Sequence, residues 1–303
     1  MKRVLTALAL IPVVLLILFK APWPFFVLVV AGIIILTLRE YLNVTEAYGI
    51  KPLRWMTYLI SVLVVLAFTL HNFPWLAPWF LKDVLTLTGL AYLSPVIFGM
   101  AVIFRKDMKM VVPAAAMSAF GTVYIAVSMG LLIRLRHLPQ AEYLIVFILL
   151  SVWSGDIAAY YVGKNFGRHK LAPVVSPNKS WEGAIASAVA SVGIALLVFH
   201  YRAYINALFT HESGGPVLDP ESLGLLEIIL LGLITNIAAQ SGDLFESALK
   251  RGAGVKDSGT LLPGHGGLLD RIDALLFAIP VVWYYAELTG QFREFVNLKY
   301  FIP

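Results

Sequence analysis

Long apolar runs with few charges constrain this chain more than any other feature. Val4 to Phe19, Phe25 to Leu38, Tyr143 to Leu150 with its continuation, and Ala184 to Phe199 approach the ~20 residues that cross a ~30 Å hydrocarbon core. With 59% of its 303 residues hydrophobic and 14% charged, the chain has too little polar surface to cover a soluble globule. Hydropathy and the polar breaks between runs give an all-α polytopic membrane protein of about nine transmembrane helices. They are expected at 4–19, 23–38, 56–71, 84–104, 114–134, 143–163, 183–201, 223–245 and 270–289. Lys2 and Arg3 before the first run resemble the start of a secretory signal. No small-residue cleavage site follows, so the run reads as a retained helix.

The net charge of +5 would suggest a nucleic-acid partner in a soluble domain, but here the basic residues sit in loops, and no nucleic acid is expected. With about nine spans, most of the 23 Lys and Arg fall on one side, and the positive-inside rule makes that side cytosolic. The N-terminus is then cytosolic and the C-terminus external, with Lys20 outside. Cysteine is absent, which leaves only oxygen or imidazole ligands for any metal.

The chain divides by character. Residues 1–137 read as an N-terminal transmembrane scaffold of apolar spans and short connectors. Residues 138–303 read as a C-terminal transmembrane catalytic region, because acidic residues enter apolar helices and two Gly- and Pro-bearing basic loops appear at 164–182 and 246–270. Ser154-Gly155-Asp156 recurs there as Ser241-Gly242-Asp243.

An ionised carboxylate within a span costs several kcal/mol unless paired or metal-bound. Asp156 and Asp243 therefore need a cause. The plainer one is an ion pair that fixes helix packing. The other is an oxygen-rich cation site, since glycine permits close approach and serine adds an oxygen. On a helix, Asp243, Ser247 and Lys250 fall at i, i+4 and i+7 and share a face, with Glu246 less well aligned. Asp270 and Asp273 share another, flanking Arg271. Asp243, Asp270 and Asp273 are thus expected to meet at one membrane end, where a few carboxylates beside basic residues suit Mg2+ bridging a nucleotide triphosphate. The plainer reading of Asp270 and Asp273 is a solvated helix start favoured by the dipole.

Between these helices the segment from Lys250 to Gly267 carries Arg251, Lys256 and Asp257 among glycines, which suits phosphate binding. It contains no Walker-type Gly-x-x-x-x-Gly-Lys-Ser/Thr. The loop from Lys164 to Gly183, with Lys179, Ser180 and Glu182, is equally compatible with a segment lying against anionic headgroups. His169 and His265 each lack a second histidine at zinc spacing.

The stretch Ser247-x-x-Lys250-Arg251-x4-Lys256-Asp257-Ser258-Gly259-x3-Pro263-Gly264-His265-Gly266-Gly267-x2-Asp270-Arg271-x-Asp273 resembles the fingerprint of the phosphatidate cytidylyltransferases. A second stretch, Asp156, Tyr160, Gly163, Phe166-Gly167 and Ser176-Pro177-x-Lys179-Ser180-x-Glu182-Gly183, is similar to another of that family. Together they cover roughly 150–275. The resemblance implies a multi-span helical fold in a bacterial-type plasma (inner) membrane, with the active site facing the cytosol. It implies CTP and phosphatidic acid as substrates among membrane lipids, a Mg2+ requirement, and catalytic aspartates at Asp243 and Asp270, which also hold the metal. Lys250 joins them as a catalytic candidate. Asp156, Lys179, Ser180, Glu182, Ser247, Arg251, Lys256, Asp257, His265, Arg271 and Asp273 are candidates for binding substrate. A monovalent cation such as K+ beside the magnesium and a homodimer are further expectations. Two other classes stay open at this point: a transporter with ion-binding membrane acids, and a CTP-using enzyme acting on an ether lipid or an isoprenoid alcohol.

Overall fold

A computed structural model describes residues 12–71, 96–103, 107–138, 142–209, 224–261 and 266–300. The principal helices are α1 (Trp23–Ala47), α2 (Arg54–His71), α3 (Val111–Gly121), α4 (Ser128–His137), α5 (Glu142–Phe166), α6 (Trp181–His200), α7 (Arg202–Phe209), α8 (Leu225–Gly252) and α9 (Leu269–Tyr300). A short 3-10 turn precedes α3, and a π-helical segment, Thr122–Val127, joins α3 to α4. Among the described residues six helices are long and apolar enough to cross a membrane, and Arg54–Leu70 is a shorter apolar helix. The protein is an all-α polytopic membrane protein, with one small hairpin among the described residues. The expected span 84–104 and the start of 4–19 lie mostly outside the described residues.

Several helices outrun their hydropathy. The run expected to end at 38 continues to Ala47 because Thr37, Glu40, Tyr41 and Thr45 are buried in helical register with Phe26, Val30 and Ile34. Packing, which a hydropathy window does not see, holds these polar residues in helix. Gly49 then ends the turn, with φ +79° and its N–H on Glu46 O at 2.9 Å. Likewise α8 continues to Gly252. It stops where the Gly254 N–H bonds Arg251 O at 3.0 Å and the Val255 N–H bonds Lys250 O at 2.9 Å. With Gly254 at φ +71°, this is a Schellman ending.

The described chain clusters into two compact units, 1–134 with 245–273 and 135–244 with 274–303. In the first unit α1 is central. Tyr41 occupies the space that a side chain at Gly121 would need, and its hydroxyl donates to Met117 O at 3.0 Å. Phe120, Tyr124 and Phe245 gather with ring centroids 5.3–5.5 Å apart. Such aromatic contact adds roughly 0.5–1.5 kcal/mol per pair beyond burial, and it anchors the last turns of α8. The Tyr48 hydroxyl donates to Leu249 O at 2.8 Å, so the end of α1 holds the end of α8.

In the second unit α5 packs along α6. Gly163 and Gly183 let them approach: a Cβ on Gly183 would lie 2.9 Å from Ala159 O and 3.3 Å from Gly163 Cα. Deeper along these helices Asn236 Nδ2 donates to Ser187 Oγ (2.8 Å) and Ser191 Oγ (2.9 Å), and Ser191 Oγ donates to Ser151 O at 3.0 Å. Polar groups in a membrane span need such partners, and here they tie three helices together.

Candidate active site

Two lysine–carboxylate clusters stand out, one in each unit. The first surrounds Asp270, at the start of α9. Lys250 Nζ lies 2.5 Å from Asp270 Oδ1 and 2.7 Å from Glu246 Oε2, its i−4 neighbour on α8. All three side chains are largely buried, with 12% of Lys250, 7% of Asp270 and 1% of Glu246 exposed. A cation this enclosed is held in one orientation. Asp270 Oδ2 also accepts the Gly267 N–H at 2.7 Å and the Ser258 N–H at 3.1 Å, and Ser258 Oγ is 3.1 Å away. The glycine-bearing segment therefore folds back on the carboxylate. Gly266 (φ +80°) admits no side chain: a Cβ there would sit 2.7 Å from Asp270 Oδ2.

The second cluster surrounds Asp243. The expected loop at 164–182 begins later, because α5 runs to Phe166. It contains a two-stranded antiparallel hairpin, β1 (Lys170–Ala172) and β2 (Ser176–Ser180), paired Lys170 with Ser180 and Ala172 with Ser176. The hairpin sets Lys179 Nζ 2.5 Å from Asp243 Oδ2. Asp156 lies within electrostatic reach of both Asp243 and Lys179. Ser180 is the N-cap of α6, its Oγ accepting the Gly183 N–H at 3.2 Å, a contact that typically contributes about 1 kcal/mol. Glu182, in the first turn of α6, takes His169 Nδ1 at 2.6 Å and so ties the residue just before β1 to the start of α6. The hydroxyls of Ser154 and Ser241 donate to their own helices, at Ser151 O and Ile237 O.

Of the residues singled out from sequence, Lys250 and Asp270 come together in the first unit, and Asp156, Lys179 and Asp243 in the second. Ser180 and Glu182 shape the hairpin and the start of α6. Asp243, Ser247 and Lys250 lie on unbroken helix, as their spacing requires. Arg251, Lys256, Asp257 and Arg271 are exposed, while Ser247 and Asp273 are half-buried. His265 lies outside the described residues. Sequence reading passed over two acids. Glu246, on the same helix side but less well aligned, is absent from the candidate site residues, yet it pairs with Lys250, and i,i+4 spacing is the signal. Glu40 carried no such signal, because its partners are 218 to 229 residues away.

Among the described residues no group of three or more His, Asp or Glu is arranged as a metal cage. Magnesium does not need one, since one or two carboxylates suffice when substrate phosphates supply further oxygens. The donors here fit that requirement: each cluster offers hard carboxylate oxygens, and the buried Glu246 Oε1 has no hydrogen-bond partner among the described residues.

Residues 1–289 match the cytidylyltransferase family. The chain is 40% identical over 171 residues to a phosphatidate cytidylyltransferase of Haemophilus influenzae, a match covering 55% of each protein. It is 35% identical to that of Pseudomonas aeruginosa, covering 92% of this chain and 94% of the relative. It is 30% identical to that of Staphylococcus aureus, covering 92% and 96%. The match thus spans about half the length of the Haemophilus relative and nearly all of the other two.

Proposed function

The chain belongs to the cytidylyltransferase family, and from that membership we propose that it transfers the cytidylyl group of CTP to phosphatidic acid, giving CDP-diacylglycerol and pyrophosphate for phospholipid synthesis. The observation that carries the reading is Lys250, an ammonium fixed between Glu246 and Asp270 at the edge of a basic, glycine-bearing segment. A phosphate of the nucleotide entering there meets a cation that is already oriented, so little ordering remains to be done at the moment of reaction.

A phosphate oxygen of the lipid attacks the α-phosphorus of CTP. One P–O bond forms, the bond to the β-phosphate breaks, and pyrophosphate leaves. No covalent enzyme intermediate is needed, because the lipid phosphate is already an anionic nucleophile. The chain's own work is positioning and charge neutralisation. Lys250, with Arg251 and Lys256, receives phosphate oxygens. Lys179, Ser180 and Glu182, with Asp156, complete the binding surface of the second unit, and Ser247, Asp257, His265, Arg271 and Asp273 are assigned to substrate. Mg2+ ligation is assigned to the carboxylates of Asp243 and Asp270, each on the chemistry of its own cluster. Bound there, the ion would neutralise triphosphate charge, and a monovalent cation such as K+ is a second candidate.

The reading extends to about nine spans, a cytosolic N-terminus, an external C-terminus and an active site facing the cytosol from a bacterial-type plasma membrane. Residues 1–137 then serve as scaffold and 138–303 as the catalytic region, in a chain that pairs with a second copy. Purified protein given labelled CTP, phosphatidic acid and Mg2+ should release pyrophosphate and CDP-diacylglycerol in equal amounts. Absence of CTP-dependent pyrophosphate release with phosphatidic acid would overturn the proposal, and release only with an isoprenoid alcohol would reassign the acceptor.

A further inference from the structure

Glu40 sits in the C-terminal part of the buried stripe of α1, with 6% of its surface exposed. An ionised carboxylate so placed needs donors, and it has three. Oε1 accepts the Leu268 N–H at 3.0 Å, Oε2 accepts the Leu269 N–H at 2.8 Å, and Ser258 Oγ is 3.1 Å from Oε2. Leu268 and Leu269 open α9, so Glu40 takes two amides that a helix start leaves without intrahelical partners. It does so from a different helix, in the place of a local cap.

The enclosure is tight on both sides. A Cβ on Gly259 would lie 2.6 Å from Glu40 Oε1, and one on Gly267 would lie 2.5 Å from Oε2. Backbone thus closes around this carboxylate from each end of the segment between Ser258 and Gly267. Asp270 is two residues beyond the first amide that Glu40 holds, and Ser258 Oγ is equidistant, at 3.1 Å, from Glu40 Oε2 and Asp270 Oδ2. A hydroxyl has one proton to give, so Ser258 links the two carboxylates and can donate to only one at a time.

We propose that Glu40 is a positioning residue for the reaction. By holding the start of α9 and Ser258 it fixes the Asp270 carboxylate, and with it Lys250, without touching substrate. The inference rests on the cytidylyl-transfer reading, but its geometric part can be tested without turnover.

The test is a double-mutant cycle of Glu40→Gln, Ser258→Ala and the pair, read by kcat, by KM for CTP and by amide hydrogen exchange across 255–272. Gln keeps the volume but turns one acceptor toward donors as an NH2. Glu40→Gln should lower kcat about 10- to 100-fold, the scale of a misplacement near 1 Å, with KM for CTP changed less than about threefold. Exchange at 267–270 should accelerate, and the pair should lose less than the product of the single losses, because both act through one contact. Additive losses, or a kcat within about twofold of the parent, would overturn the inference. If Glu40→Gln does not fold, Ser258→Ala alone should lower kcat while keeping KM, and unchanged kcat there counts against the proposal. If the parent shows no CTP-dependent turnover, the reaction reading falls, yet unchanged exchange in Glu40→Gln would still refute the positioning role by itself.

Discussion

The two aspartates assigned to the metal, Asp243 and Asp270, occupy different environments, and their removal should separate accordingly. Asp270 is 7% exposed and takes an ammonium and two backbone N–H groups, whereas Asp243 is 34% exposed and pairs with Lys179, itself 27% exposed. Under the proposed reaction, Asp243→Asn and Asp270→Asn each lower kcat at least about a hundredfold, the scale of losing one well-placed electrostatic group. The stabilities should differ. Asp270→Asn leaves Lys250 with Glu246 alone and puts an amide among N–H donors, a loss of about 1–3 kcal/mol. Asp243→Asn loses a solvent-screened pair and should leave the thermal midpoint in detergent nearly unchanged. Equal midpoints for the two variants would contradict the burial argument, and near-parental turnover in either would remove that residue from the reaction. The aspartates of both clusters were legible because each fell in a recognisable spacing, whereas Glu246 was passed over. Their pairing was not, since Lys179 meets Asp243 only after a hairpin turns it.

At the level of elements, the ends of α1 and α8 decide whether these side chains arrive. The α8 ending depends on Gly254 at φ +71°, a conformation that strains any L residue. Gly254→Ala should cost about 1 kcal/mol and loosen the turn that presents Lys250, seen as a lower melting temperature and faster exchange of the Val255 amide. Unchanged exchange there would show that the Tyr48–Leu249 hydrogen bond alone secures the helix end. Hydropathy located the apolar centres of these helices but not their ends. Both α1 and α8 close in polar sequence, where buried partners from distant segments outweigh the local cost. The hairpin at 170–180 escaped for a related reason: Pro173 and Pro177 break any alternation, and its strands are three and five residues long. Glu40 is the sharpest case, since a lone acid beside Arg39 reads as the end of a span until Leu268, Leu269 and Ser258 are seen on it.

For the whole molecule, the proposed orientation makes a prediction that this sequence lets one test cleanly. The chain has no cysteine, so each introduced thiol is the only target for a maleimide. Lys20, Arg168 and Lys256 are all exposed, and the positive-inside argument puts Lys20 on one side of the bilayer and the other two on the opposite side. Lys20→Cys should react with a membrane-impermeant maleimide in intact spheroplasts, while Arg168→Cys and Lys256→Cys should react only in inverted vesicles. Lys20→Cys should also keep parental turnover, because it lies away from the face where a soluble nucleotide triphosphate arrives. A diacyl lipid presents its phosphate at the headgroup level, so chemistry between it and CTP requires both basic loops on the side that holds CTP. Labelling of Arg168→Cys and Lys256→Cys from opposite sides would leave no common surface for the two substrates, and with it no route for the proposed transfer.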